Sequence, residues 1–206
     1  MADYKDYGFH NDAPTHNMGY QLKELVSLLD KTKNQYILDL GCGNGYLVNY
    51  LVEQGYTAYG TDASEKGIEI AKKSHADRFF VQDLSADSLP AELQNIPFDT
   101  IISTEVIEHL YNPEAFISFC KNQLMPGGEL IITTPYHGYL KNLTLSILNK
   151  WDSHMDPLWL GGHIKLWSKK TMTQALRNAG FEVVNFIGCG RVPYFWKSMM
   201  IKAKLS

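Results

Sequence analysis

Short, continuously apolar runs alternate with amphipathic stretches along nearly the whole chain. The apolar runs predict strands at "YILDL" (36–40), "TAYGTD" (57–62), "RFFVQD" (78–83), "FDTIIST" (98–104), "MPGGELIITTP" (125–135), "FEVVNFIG" (181–188) and "WKSMMIKAKL" (196–205). Between them, "YLVNYLVEQG" (46–55) carries Leu47 with Leu51 and Val48 with Val52 at helical spacing, and Gly55 is its stop. Further helices are expected over 64–75, capped by Ser64, over 113–124 with Pro113 in the first turn, and over 168–180 ending at Gly180. An amphipathic helix over 18–31 precedes all of these.

Strands without polar alternation, each followed by a helix, predict a parallel sheet covered on both faces. Only "CGRVPYF" separates the last two strands, so they are expected to pair as a hairpin with the final strand antiparallel. The fold class is therefore α/β: a Rossmann-like, seven-stranded, mostly parallel sheet in a single domain over 1–206. In such a sheet a ligand binds outside the carboxyl ends of the strands. The polar stretches "DLGCGNG", "TDAS", "QDLS" and "STEVIEH" all fall at such ends.

Composition narrows the functional classes. A net charge of −3 shows no basic footprint for nucleic acid. Cys42, Cys120 and Cys189 are too scattered for a zinc site or a disulfide framework, which leads to a cytoplasmic expectation. No run reaches the roughly 20 apolar residues of a membrane span, and the N-terminus lacks the pattern of a signal peptide.

A glycine loop after the first strand lets backbone approach a ligand closely. Asp62, about 20 residues further on, stands where a carboxylate accepts ribose hydroxyls, and Asp83 can accept from an adenine amino group. A dinucleotide fold wants G-x-G-x-x-G, but here Gly41, Gly43 and Gly45 are followed by Tyr46. The run "ILDLGCGNGYL" resembles the first motif of class I S-adenosylmethionine-dependent methyltransferases, and "GTDAS", "VQDLS", "FDTIISTEVIEHL" and "LMPGGELIITTP" follow in that family's order. The resemblance implies S-adenosylmethionine as cofactor. Asp39, Gly41 and Gly43 would hold its methionine end, Asp62 the ribose, Ala63 the edge of the adenine, and Asp83 and Leu84 the base. Thr104 would sit near the sulfonium.

Glu105, Glu108 and His109 in "STEVIEHL" stand at i, i+3 and i+4, one face of a helix if the stretch is helical. The same E-x-x-E-H is similar to the ubiquinone-biosynthesis O-methyltransferase branch, where it resembles a divalent-metal site. That implies Mg²⁺ or another divalent cation on Glu105, Glu108 and His109. The alternatives are a metal-free acid–base group, with Glu105 and His109 catalytic, or the acidic first turn of a helix. The long segment 135–167 is expected to be a substrate lid whose aromatic residues suit an aromatic small-molecule acceptor, with His163 as base or further ligand. Its helix over 139–150 carries Leu140, Leu143 and Ile147 on one face, expected to pack on the domain, with an interfacial contact to lipid as the second reading. Residues 1–31 are expected to form an N-terminal lid and helix. The expected activity is methyl transfer to a hydroxyl. N- or C-methylation without metal, a non-catalytic cofactor-binding module and a nicotinamide oxidoreductase are the alternatives.

Overall fold

The computed structural model describes residues 8–84 and 88–206. Tyr4 and Tyr7 of the N-terminal segment, and Ser85 of "VQDLS", lie outside the described residues. The chain runs α1 (Met18–Ser27), β1 (Tyr36–Leu40), α2 (Tyr46–Glu53), β2 (Thr57–Asp62), α3 (Glu65–Ala71), β3 (Phe79–Val81), β4 (Phe98–Thr104), α4 (Pro113–Gln123), β5 (Leu124–Pro135), α5 (Tyr139–Ile147), α6 (Trp151–Met155), α7 (Lys169–Asn178), β6 (Phe181–Cys189) and β7 (Ser198–Leu205). The sheet order is β3-β2-β1-β4-β5-β7-β6. β7 is antiparallel to both neighbours, as the short hairpin connection requires, and the other strands run parallel.

Both faces are covered because successive strand residues go to opposite sides. Ile37, Ile102 and Ile131 pack with Leu25, Leu47, Leu51 and Ile68 under α1, α2 and α3. Their neighbours Leu38, Ile101 and Leu130 pack with Phe116, Ile117, Met172 and Leu176 under α4 and α7. Ser64 caps α3 by accepting from the Gly67 N–H, and Asn112 caps α4 by accepting from Ala115.

Three local expectations change. β3 is shorter than 78–83 because it is an edge strand that leaves the sheet after Val81, itself half exposed. The 103–110 stretch is not α-helical. β4 runs to Thr104, Glu105 turns off it with φ of 54°, and only Ile107–His109 forms a single 3₁₀ turn. The i, i+3, i+4 face therefore does not exist. The apolar face of α5 also points outward: Leu140, Leu143 and Ile147 are 44%, 41% and 72% exposed. Among the described residues no helix is long and apolar enough to cross a membrane.

Gly45 shows how tightly the glycine loop is pressed on the sheet. Its φ is +78°, and a Cβ there would lie 2.4 Å from Ala71 Cβ and 2.7 Å from the Phe79 ring. Left-handed backbone costs a side-chain-bearing residue about 1–2 kcal/mol, and overpacking adds about 1–3 kcal/mol. Gly45→Ala is therefore expected to lower the urea midpoint by the equivalent of about 2–5 kcal/mol with the denaturant slope unchanged.

Candidate active site

The strand order reverses between β1 and β4, and the crevice outside their carboxyl ends is where an open α/β sheet offers a ligand site. A cleft of about 1450 Å³ lies there. Every cofactor residue expected from the sequence lines it: Asp39, Gly41, Gly43, Asp62, Ala63, Asp83, Leu84 and Thr104. Glu105, His109 and His163 line it as well.

At the β1–β2 side, Asp62 accepts from the Gly43 N–H on one oxygen and from the Ser64 N–H on the other, both at 2.8 Å. Burial raises its pKa against those bonds. Asp39 is 1% exposed, and its Oδ1 has no hydrogen-bond partner. Burial, and then the neighbouring Asp62, push its carboxyl up to about 8. A bare oxygen on a buried carboxyl lacks a donor. The ammonium of an amino-acid moiety would supply one, so these residues fit the methionine end of S-adenosylmethionine.

A strap from the N-terminal segment crosses this end of the cleft. Asn44, in the middle of the glycine loop, donates both amide hydrogens at 2.8 Å, to the carbonyls of Asn11 and Ala13. The Phe9 ring lies against Gly43, where an added Cβ would come within 2.7 Å of it. The aromatics before α1 drew attention to this segment, but nothing in the spacing singled out Asn44.

At the β4 side the three residues of "STEVIEHL" part company. The Glu105 carboxylate accepts from Gln21 on α1 at 2.9 Å, Thr133 on β5 at 2.9 Å and Ser198 on β7 at 3.2 Å. Burial raises its pKa, and these donors oppose the rise. Glu108 sends Oε2 to the Thr134 hydroxyl and leaves a buried Oε1 without a hydrogen-bond partner. Burial and the charge of Glu105 hold its pKa well above the ordinary range. His109 Nδ1 is 2.7 Å from the Gly161 carbonyl, so it carries the proton and the neutral ring presents Nε2 as acceptor. That Nε2 is 3.9 Å from Glu108 Oε1.

The 135–167 insertion brings in the fourth participant. Its neck is closed by the Tyr136–Trp167 bridge and by the His137 N–H to the Trp167 carbonyl. Its far end is tied to the 3₁₀ turn, because the Ile164 and Lys165 N–H groups both donate to the Glu108 carbonyl. His163 is thereby set with its ring 4.9 Å from His109 and 5.6 Å from Trp159. Glu108, His109 and His163 offer ligand atoms within 4.8 Å of one another. This grouping differs from the Glu105–Glu108–His109 set that the family resemblance implied, because Glu105 turns toward α1 and β7. Burial lowers the pKa of His109, and burial with His109 lowers His163 to about 4, so both rings are neutral at pH 7. His137 and His154 do not line the cleft. Gln21, Thr133 and Ser198, which hold Glu105, carried no signal in the sequence.

A model of the methyltransferase domain matches residues 15–185, and the chain belongs to that family. It is 35% identical to the ubiquinone biosynthesis O-methyltransferase of Mesorhizobium japonicum over 158 residues, covering 74% of this chain and 61% of the relative. With the enzyme of the same name from Cereibacter sphaeroides it shares 28% identity over 179 residues, covering 82% of this chain and 69% of that one. The chain spans only 40% of the relative from Caulobacter sp. (strain K31). Among solved structures, magnesium protoporphyrin IX methyltransferase from Synechocystis PCC 6803 with bound S-adenosylhomocysteine superposes with a TM-score of 0.70 at 21% identity, covering 98% of this chain and 91% of that one. The chain is thus a member of the methyltransferase-domain family, with the fold of that solved methyltransferase.

Asn44→Ala removes both strap bonds. It is expected to speed amide hydrogen exchange across 8–17 while lowering global stability by only about 1–3 kcal/mol, since each hydrogen bond contributes about 0.5–1.5 kcal/mol. Exchange followed by mass spectrometry checks it.

Proposed function

We propose that the chain transfers the methyl group of S-adenosylmethionine to a hydroxyl of a small, aromatic acceptor. One observation carries the reading: a single cleft runs from the Asp39–Asp62 end to His109 and His163, with the unpartnered Oε1 of Glu108 behind them. In it, Asp39, Gly41 and Gly43 bind the methionine end and Asp62 accepts from the ribose hydroxyls. Ala63, Asp83 and Leu84 border the adenine, and Thr104 lies beside the sulfonium. The methyl is already activated, so the protein aligns acceptor oxygen, methyl and sulfur and excludes water.

The acceptor must lose a proton, because a neutral oxygen attacks poorly. A ring nitrogen of His163 takes it. A base whose pKa lies near 4 is fully deprotonated at pH 7 but weak, so it serves a phenol or enediol better than an alkanol. The donor set of Glu108 and His109 also suits Mg²⁺ or another divalent cation, which would supply Lewis acidity beside that hydroxyl. Glu105 acts through position: it fixes the turn that presents Glu108 and His109. Trp159 offers a wall for a planar acceptor. The names of the curated relatives support oxygen as the methylated atom. We take 1–206 as one unit working in the cytoplasm, where its three buried free thiols stay reduced. The exposed leucines of α5 support transient contact with a lipid interface.

Two measurements test this. In the free protein Asp39 is mostly protonated at pH 7, and pairing with an ammonium ionises it. Binding of S-adenosylhomocysteine is therefore expected to release about one proton near pH 7, falling toward zero above pH 9. Calorimetric titrations in buffers of different ionisation heat read this number, and Asp39→Asn abolishes it. For the chemistry, release of S-adenosylhomocysteine with catechols and other hydroxylated acceptors is measured with and without chelator. His163→Ala and Glu108→Gln are each expected to lower kcat by about 10²-fold or more without changing S-adenosylhomocysteine affinity. No turnover with any hydroxylated acceptor would refute oxygen methylation, and a rate unmoved by chelator would refute the cation.

A further inference from the structure

S-adenosylmethionine carries an ammonium and a carboxylate on one carbon. Asp39, 1% exposed and with Oδ1 unpartnered, fits the ammonium. The carboxylate then needs donors beside it. Among the described residues that line the cleft there are five carboxyls, on Asp39, Asp62, Asp83, Glu105 and Asp156, and neither a lysine nor an arginine. A carboxylate entering this cleft therefore finds no lining cation to pair with. Lys197 comes near, 2.9 Å from His16 Nε2 and over the Tyr20 ring, but does not line the cleft.

The start of α1 has the missing donors. The helix spans ten residues, its first turn holds no acid, and Asn17 makes no side-chain cap. Its N-terminal partial positive charge is thus left without a counter-charge of its own. The Asn17 carboxamide accepts the Tyr20 hydroxyl on Oδ1 at 2.9 Å. Neither its NH₂ group nor the Asn17 backbone N–H donates to any described residue. The Thr15 hydroxyl oxygen accepts weakly from the Met18 N–H, at 3.4 Å, and keeps its own proton to donate. Thr15, Asn17 and Met18 all line the cleft. Anchors on either side fix where this turn lies. Upstream, Asn44 of the glycine loop holds the carbonyls of Asn11 and Ala13. Downstream, Gln21 donates to Glu105 at the end of β4. Residues 15–17 therefore span from the glycine loop to the end of β4. Asp39 lies at that end of the cleft, on β1 opposite Ile102 of β4.

We infer that the N-terminal turn of α1 binds the carboxylate of the cofactor's methionine end, through the Asn17 backbone N–H and carboxamide and the Thr15 hydroxyl. Neutral donors at a helix terminus take the place of a cation there. The subsite rests on the proposed reading of the Asp39 end as the methionine site. The full chain is titrated calorimetrically with S-adenosylhomocysteine, with its decarboxylated form S-adenosyl-3-thiopropylamine, and with adenosine. S-adenosylhomocysteine is expected to bind roughly tenfold or more tighter than the decarboxylated amine. Asn17→Asp sets a negative charge against the carboxylate. It is expected to weaken S-adenosylhomocysteine by roughly tenfold or more and to leave the amine unchanged or tighter. Thr15→Ala is expected to weaken S-adenosylhomocysteine alone, several-fold. Aspartate serves a helix start as well as asparagine does, so the melting temperature of the free Asn17→Asp protein is expected to hold or rise. Equal wild-type affinity for S-adenosylhomocysteine and the amine would overturn the subsite and leave the cofactor reading standing. So would an Asn17→Asp variant that weakens both ligands alike, or neither. S-adenosylhomocysteine binding no tighter than adenosine would overturn the subsite together with the reading of Asp39.

Discussion

The β4 side of the cleft depends on the burial of one carboxylate. Glu105 follows the last residue of β4 in a left-handed conformation. Burying its charge would cost several kcal/mol without donors. Gln21, Thr133 and Ser198 supply them from three separate elements. That network holds α1 over the cleft and ties β4 to β5 and β7. It also forces the chain to turn away from the β4 direction, which makes room for the Ile107–His109 turn. His109 and Glu105 both line the cleft, with Glu108 buried behind His109.

The two sides of the cleft are electrostatically unlike. On the β1–β2 side, carboxyls crowd together, and burial pushes both toward the protonated form. The same burial works in the opposite sense on the histidines of the other side, keeping them uncharged. Their effects on stability have opposite signs. The depressed histidines contribute stability above their unfolded pKa of about 6.5, and it is lost as pH falls toward 4. Asp39 contributes below its unfolded pKa of about 3.9, and its contribution is lost as pH rises toward 8.

The sheet and the lining of the β1–β2 side of the cleft were legible in the sequence because both rest on local rules. Continuous apolar runs mark buried parallel strands, and Gly41, Gly43 and Gly45 mark a loop that only small residues allow. The acids Asp39, Asp62 and Asp83 stand at strand ends, whose place the topology dictates. The β4 side was only half legible. Helical spacing in "STEVIEHL" assumed a helix that Glu105 prevents, and the three donors that hold Glu105 lie far along the chain. His163 was named from its neighbourhood, but its partners depend on the Glu108 carbonyl receiving Ile164 and Lys165. α5 inverted the expected burial because its neighbours are backbone carbonyl and imidazole, not a hydrophobic surface; amphipathic period reports two faces without saying which is covered.

The narrow neck at Tyr136 and Trp167 gives the insertion a modular character. Its two ends enter and leave the sheet edge side by side, so the conformational cost of closing the loop is met at one place. That cost grows only with the logarithm of loop length, about 0.6 kcal/mol for each doubling. Residues between the neck and His163 can thus be lengthened, shortened or exchanged with little effect on the sheet beneath. A lineage built on this scaffold could reshape one wall of the cleft by rewriting one surface excursion, while the seven strands and the glycine loop stayed as they are.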